Sequence, residues 1–157
     1  MAADVVAPAV RSRMMAGIKG KDTRSEMSVR SALHRMGFRF RVHRKDLPGR
    51  PDLVFPKHKA VIFVHGCFWH GHGCHLFKWP KTRSEFWRNK INSNVARDGR
   101  NLSALADYGW RVATIWECAI KGRTRLSGEA IAERCAAWLL SDEPRLELSG
   151  DETRTVA

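Results

Sequence analysis

Apolar positions along the chain change period several times, and each change marks an element. Val29, Ala32, Leu33 and Met36 recur at i, i+3, i+4 and i+7, which predicts a first helix. Thr23 and Glu26 stand at capping-box spacing ahead of it, and Gly37 stops it. Phe38, Phe40 and Val42 then alternate with basic residues, so FRFRVH reads as a strand with one apolar face. LPGRP is a turn. Asp52 to Phe55 and Ala60 to His65 are short apolar strands joined by PKHK as a hairpin. Thr82 and Glu85 repeat the capping-box spacing before a long helix with Phe86, Ile91 and Val95, then Leu102 and Leu105. Gly99 is placed to break or bend that helix, and Gly109 ends it. WRVATIW is a further strand, and Ser127 to Leu140 is a last helix with Ile131, Cys135 and Trp138 on one side.

The order α, three strands, α, strand, α predicts an α/β sandwich around a mixed sheet. Residues 22–140 form the domain. They are preceded by a basic arm (1–21) and followed by an acidic tail (141–157), and both ends are expected to be mobile in isolation.

Charge narrows the function classes. The chain of 157 residues carries 28 Lys and Arg against 16 Asp and Glu, a net charge of +12. The last seventeen residues hold five acids and two bases, so the remainder carries +15. Such a field favours polyanions, because neutralising phosphates releases condensed counterions. Nucleic acid is therefore the leading partner class. A membrane role is disfavoured, since no apolar run is long enough to span. The start MAADVVAPAVRSRMM has no basic head followed by an apolar core, so the expected location is the cytoplasm. Four cysteines there suggest metal or thiol chemistry before disulfides.

The chemistry concentrates in VIFVHGCFWHGHGC, Val61 to Cys74. Cys67, His72 and Cys74 follow a strand end, and Cys118 lies just beyond the strand that ends at Trp116. Two neighbouring strand ends could bring these four together as a Cys3His set, whose thiolate and imidazole donors suit zinc better than magnesium. The competing reading makes Cys118 a core residue and leaves the loop thiols free. Cys135, among apolar helix residues, reads as core. A closed zinc site leaves His65, His70 and His75 for acid-base work. Asp52 begins a strand that pairs with the strand of His65, where a hard oxygen ligand suits magnesium. Each has a plainer alternative, with Asp52 ending its turn, His75 solvated and Glu26 only capping its helix.

Aromatic residues interleave with bases nearby. Phe68 and Trp69 interrupt the ligand loop, and Trp79 and Trp87 follow among Lys78, Lys81, Arg83, Arg88 and Lys90. An extended backbone would point Phe68 and Trp69 to opposite sides, so both cannot easily be core. Rings among cations suit stacking on bases.

GRPDLVF, VIFVHGCFWHGHGC, TRSEFWRNKINSNVARD and GWRVATIWEC together closely resemble the very short patch repair (Vsr) endonucleases, over about residues 10 to 140. The resemblance implies a restriction-endonuclease-like three-layer sandwich and magnesium-dependent nicking of DNA 5′ to the thymine of a T:G mismatch, the product of 5-methylcytosine deamination. It implies Asp52 as magnesium ligand, with His65 and His70 in the catalytic centre. His70 would activate water, and Asp98 would orient it. Cys67, His72, Cys74 and Cys118 would surround structural zinc. Glu26 resembles the family's N-terminal catalytic-site glutamate. Phe68, Trp69 and Trp87 match rings that intercalate beside the mismatch, while Met15 and Lys90 match residues at the mismatched pair. The implied partner is double-stranded DNA with a T:G mismatch, with mismatch-repair proteins as candidate protein partners of a monomer.

Two departures stand out. Val64 replaces a Thr of a familiar bacterial member, at a position that offers its main-chain carbonyl to magnesium. Gly71 and Gly73 replace histidines, which predicts a looser loop. Relative to general PD-(D/E)xK nucleases, Phe63 and His65 occupy the places of the acid and the lysine. The alternative from another class is a zinc-stabilised module that binds distorted duplex without cutting it. Asp52, His65 and His70 discriminate, because a binder needs rings and bases but not that triad.

Overall fold

The computed structural model describes residues 24–151. The basic arm, with Thr23 and Met15, lies outside the described residues. Helix α1 (Arg24–Arg35) buries Glu26, Val29 and Leu33. Met36 lies just past the end of the helix and is exposed, and Gly37 at φ 98° turns the chain. Phe38 and Phe40 fold back onto Phe55, but regular pairing is confined to β1 (Arg41–Val42), whose two residues are both exposed. The predicted FRFRVH strand is thus mostly an extended packing segment.

Strand β2 (Leu53–Phe55) runs antiparallel to both β1 and β3 (Ala60–His65). One 3-10 turn, Pro56–His58, closes the β2–β3 hairpin, with Lys59 in the left-handed region at φ 50°. Helix α2 (Ser84–Asp107) then crosses back so that β4 (Arg111–Trp116) lies parallel to β3, with His65 level with Trp116. A short α3 (Glu117–Ile120) and α4 (Gly128–Leu139) follow. Ser127 caps α4 by accepting a bond from the Ala130 N–H, 3.0 Å.

Two layers of helix enclose the sheet. Leu53, Phe55, Ala60, Ile62 and Ile115 face Val29 and Leu33 of α1 and Ile131, Cys135 and Trp138 of α4. On the other face Val54, Val61, Phe63 and Val112 pack with Leu105 of α2. The period-2 alternation of β2 and β3 therefore serves two cores at once. Cys135 belongs to the first, and its burial pushes the thiol up to about 12.

Four expectations are corrected. The domain does not end at residue 140: Arg145–Leu148 forms β5, parallel to β4 in a five-stranded sheet, and Leu148 is fully buried. Helix α2 runs unbroken through Gly99. Its N-cap is Arg83, at φ 53° with no side-chain cap, so Thr82 and Glu85 form no capping box. The helix is also rotated from the predicted phase. Ile91, Asn94 and Leu105 are buried, whereas Phe86 and Val95 are each 46% exposed.

Candidate active site and metal centre

The ends of β3 and β4 lie side by side, and the loop that leaves β3 crosses α2. Among the described residues three clusters of ligand-type side chains result, each with donor atoms within 4.8 Å of one another: Cys67, His72, Cys74 and Cys118; His65, His70 and Asp98; and Glu26, His43 and Asp52.

The first cluster joins the β3 loop to α3. The His72 Nδ1 is 3.6 Å from the sulfurs of both Cys67 and Cys118. A tetrahedral zinc bound at about 2.3 Å to sulfur and 2.0 to 2.1 Å to nitrogen separates such donors by about 3.6 Å, so the set fits that ion. Burial pushes the Cys67 and Cys118 thiols well up, and close packing of Cys74 adds to this, so the thiolate forms need a cation. Backbone N–H groups support the sulfurs: Cys118 donates to Cys67, 3.3 Å, and Gly150 donates to Cys118, 3.2 Å. The residues after β5 therefore close over this cluster. The Cys67 N–H donates to the Glu117 carboxylate, 3.3 Å.

In the second cluster His65 and His70 stack with centroids 3.8 Å apart and planes 4° apart. The His70 Nδ1 is 2.5 Å from Asp98 Oδ2 on α2, which fixes the ring and leaves Nε2 as its other polar atom. Burial first, and His70 after it, lower the His65 pKa to about 3 against the opposing pull of Asp98. The cluster lines a cleft of about 530 Å³, flanked by Arg50 and Arg97.

Asp52 anchors the third cluster. Its Oδ2 accepts a bond from the Val64 N–H, 2.7 Å, which ties it to the strand that carries His65. Burial, with help from Glu26 and against the Val64 bond, raises the Asp52 pKa to about 7. Glu26 is almost fully buried, at 2% exposure, and pairs with Arg30 at 3.2 Å and with His43 Nε2 at 2.9 Å. Its position is far more enclosed than a helix-capping role requires.

The rings do not splay. The loop turns, and Phe68, Trp69 and Trp87 form one half-buried group with centroid separations of 5.2, 5.4 and 5.8 Å. Phe77 stacks on Phe68, and Trp79 lies on Phe77 beneath Arg88. Lys90 is exposed one helical turn beyond Trp87 on α2. Gly71 holds φ 62°, and a Cβ there would lie 3.0 Å from Ile91 and Val95, so this glycine permits the loop's close approach to α2. Gly73 is open to space. His75 lies against Gly122, outside all three clusters.

Three contributors were missed in the sequence. His43 sits in a left-handed conformation at φ 51°, which breaks the strand alternation used to read that segment. Asn94 is buried on α2 and donates to the Trp69 carbonyl, 2.9 Å, so it pins the aromatic loop. Trp116 stacks on His72, 4.2 Å, lies edge-on to His65, 5.4 Å, and donates to Glu147, 2.8 Å. Parallel register of the two strand ends is the signal that would have found it.

Comparisons with known proteins point to one family. Residues 3–76 match the family model described as DNA mismatch endonuclease Vsr. The DNA mismatch endonuclease Vsr of Escherichia coli is 49% identical over 140 residues, covering 89% of this chain and 90% of that protein. A Type II nicking enzyme, V.XorIIP of Xanthomonas oryzae pv. oryzae, is 54% identical over 117 residues, 74% of this chain and 86% of its own. Another, V.NmeAIP of Neisseria meningitidis, is 41% identical over 76% of this chain and 86% of its own. With identity on this scale along most of both chains, this protein belongs to the Vsr family of DNA mismatch endonucleases.

Proposed function

We propose that the protein nicks double-stranded DNA 5′ to the thymine of a T:G mismatch, acting as a monomer in the cytoplasm with magnesium as catalytic ion and zinc as structural ion. The observation that carries the catalytic part is the His70 Nδ1 to Asp98 contact of 2.5 Å beside a cleft flanked by two arginines. A bond from the Nδ1 proton to Asp98 leaves the His70 Nε2 lone pair to take a proton from an attacking water. Asp98 thereby sets the tautomer and stabilises the cation that forms on His70. His65, stacked against it and neutral, adds no like charge to oppose that step. Arg50 and Arg97 would hold the phosphate.

Asp52 and the main-chain carbonyl of Val64 would hold magnesium. In a strand the N–H and C=O of one residue face the same neighbour, and the Val64 N–H faces Asp52, so its carbonyl belongs to the same edge. The ion would polarise the phosphate and offset developing charge. Cys67, His72, Cys74 and Cys118 would hold zinc, which would brace the loop of Phe68, Trp69 and His70. The alternation of two antiparallel and two parallel pairings between helical layers supports a restriction-endonuclease-like sandwich.

Phe68, Trp69 and Trp87 would supply the wedge of the proposed recognition step, and Lys90, with Met15 by family resemblance, would contact the mismatched pair. Unstacking a base step costs roughly a few kcal/mol, which ring-base contacts offset. A T:G wobble pair opens more cheaply than a matched pair, so selectivity begins there. Mismatch-repair proteins are the candidate protein partners.

The test separates chemistry from binding. Asp52→Ala should abolish nicking of a T:G duplex yet retain binding by gel shift. Loss of binding with nicking preserved per bound complex would exchange the roles, and wild-type binding without any cut would favour the non-catalytic binder.

A further inference from the structure

The third cluster holds a residue for which the proposed magnesium site has no use. His43 places one ring nitrogen against each carboxylate: Nε2 is 2.9 Å from Glu26 Oε2, and Nδ1 is 3.9 Å from Asp52 Oδ1. Glu26 is buried at 2% exposure and also accepts a bond from Arg30, 3.2 Å. Donation of a proton from Nε2 to Glu26 fixes the tautomer and aims the Nδ1 lone pair at Asp52. On the Asp52 side, Oδ2 is engaged by the Val64 N–H at 2.7 Å, which leaves Oδ1 as the oxygen that faces His43.

A carboxylate that orients an imidazole toward a cation is a recurrent arrangement of metal sites. Two donors that each bind one ion at about 2.1 Å lie at most about 4.2 Å apart, and 3.9 Å falls within that span. The backbone holds the ring beside Asp52. His43 sits in the left-handed region at φ 51°, where histidine is among the side chains found more often, and its N–H is tied to the Asp52 carbonyl at 3.3 Å.

We infer that His43 is a nitrogen ligand to the cation held by Asp52, oriented by Glu26, and that this site accepts a first-row transition ion such as Mn2+ in preference to Mg2+. The inference rests on the reading of Asp52 as a cation ligand. Magnesium binds all-oxygen sets and retains its waters, whereas imidazole shifts a site toward first-row ions. Glu26 is then a positioning residue whose effect on the ion passes through His43.

Mn2+ itself is the probe, added to the zinc-loaded full chain without DNA. Pulsed electron paramagnetic resonance of the bound ion should show nitrogen modulation in the wild type. His43→Gln should lose it while binding Mn2+ more weakly, with Mg2+ affinity changed far less. Glu26→Gln should keep the modulation and lower Mn2+ affinity roughly tenfold. His65→Gln combined with His70→Gln should also keep it, which guards against a His43 variant that fails to fold. Absence of modulation in the wild type, its survival in folded His43→Gln, or its loss in the His65 and His70 double variant would overturn the inference and leave Asp52 as a ligand. Mn2+ binding that is unchanged by Asp52→Ala would instead remove the cation site beneath it.

Discussion

The imidazole of His65 lies flat on that of His70, 3.8 Å between centroids, and only His70 is bonded to Asp98. Two like side chains in contact thus receive opposite environments, one enclosed and one paired with a carboxylate. Environments that separate two titratable groups in this way assign them different work.

A stability effect follows from that division. The unfolded chain takes a proton on His65 near the ordinary imidazole value, but the folded chain does so only near 3, so stability is lost as pH falls below the ordinary value. Urea unfolding at pH 7 and pH 5 should show the wild type losing roughly 1 to 2 kcal/mol more than His65→Gln. Equal losses in both proteins would contradict a neutral, enclosed His65.

Removing a sulfur from the Cys3His cluster should free the loop it ties to α3. Cys118→Ala should lower zinc content below one ion per chain, as measured by atomic absorption, and reduce the yield of folded protein. Fully folded wild-type protein without stoichiometric zinc would remove this site.

Burial of Leu148 makes β5 part of the core, contrary to the tail predicted from its charge. Leu148→Ala should cost about 2 to 5 kcal/mol in chemical denaturation, the range for a buried leucine. A change below roughly 0.5 kcal/mol, as at an exposed position, would return the segment to the tail.

The ring group should govern DNA affinity and leave the cleft chemistry intact. Trp69→Ala should weaken binding of a mismatched duplex by roughly 1 to 3 kcal/mol, the range for one stacking platform. Asn94→Ala should act in the same direction through the carbonyl it holds on Trp69. Unaltered affinity in both variants, measured by fluorescence anisotropy, would make the group a structural core.

Legibility of the sequence followed the source of each element's stability. Strands β2, β3 and β4 were readable because most of their own residues are apolar or β-branched. Strand β5 was not, since RLEL is short, lies between acids, and gains its place by pairing with β4. The phase of α2 misled because Asn94 is buried by its bond to the aromatic loop while Phe86 and Val95 remain exposed. Cys67, His72 and Cys74 announced themselves by proximity in sequence. The His70 to Asp98 pairing spans 28 positions and was available only through family resemblance. His43 was hidden by a single left-handed residue that reversed the expected direction of its ring.

The most direct test of the central claim is single-turnover cleavage of a duplex with one T:G pair in a deaminated cytosine-methylation sequence, each strand labelled in turn, beside a matched T:A duplex. With magnesium present, the result expected is a single nick in the thymine strand, with a 5′-phosphate on the thymine-containing fragment and little cutting of the T:A duplex. Equal cutting of both duplexes, or release of free thymine with an abasic site left behind, would contradict it.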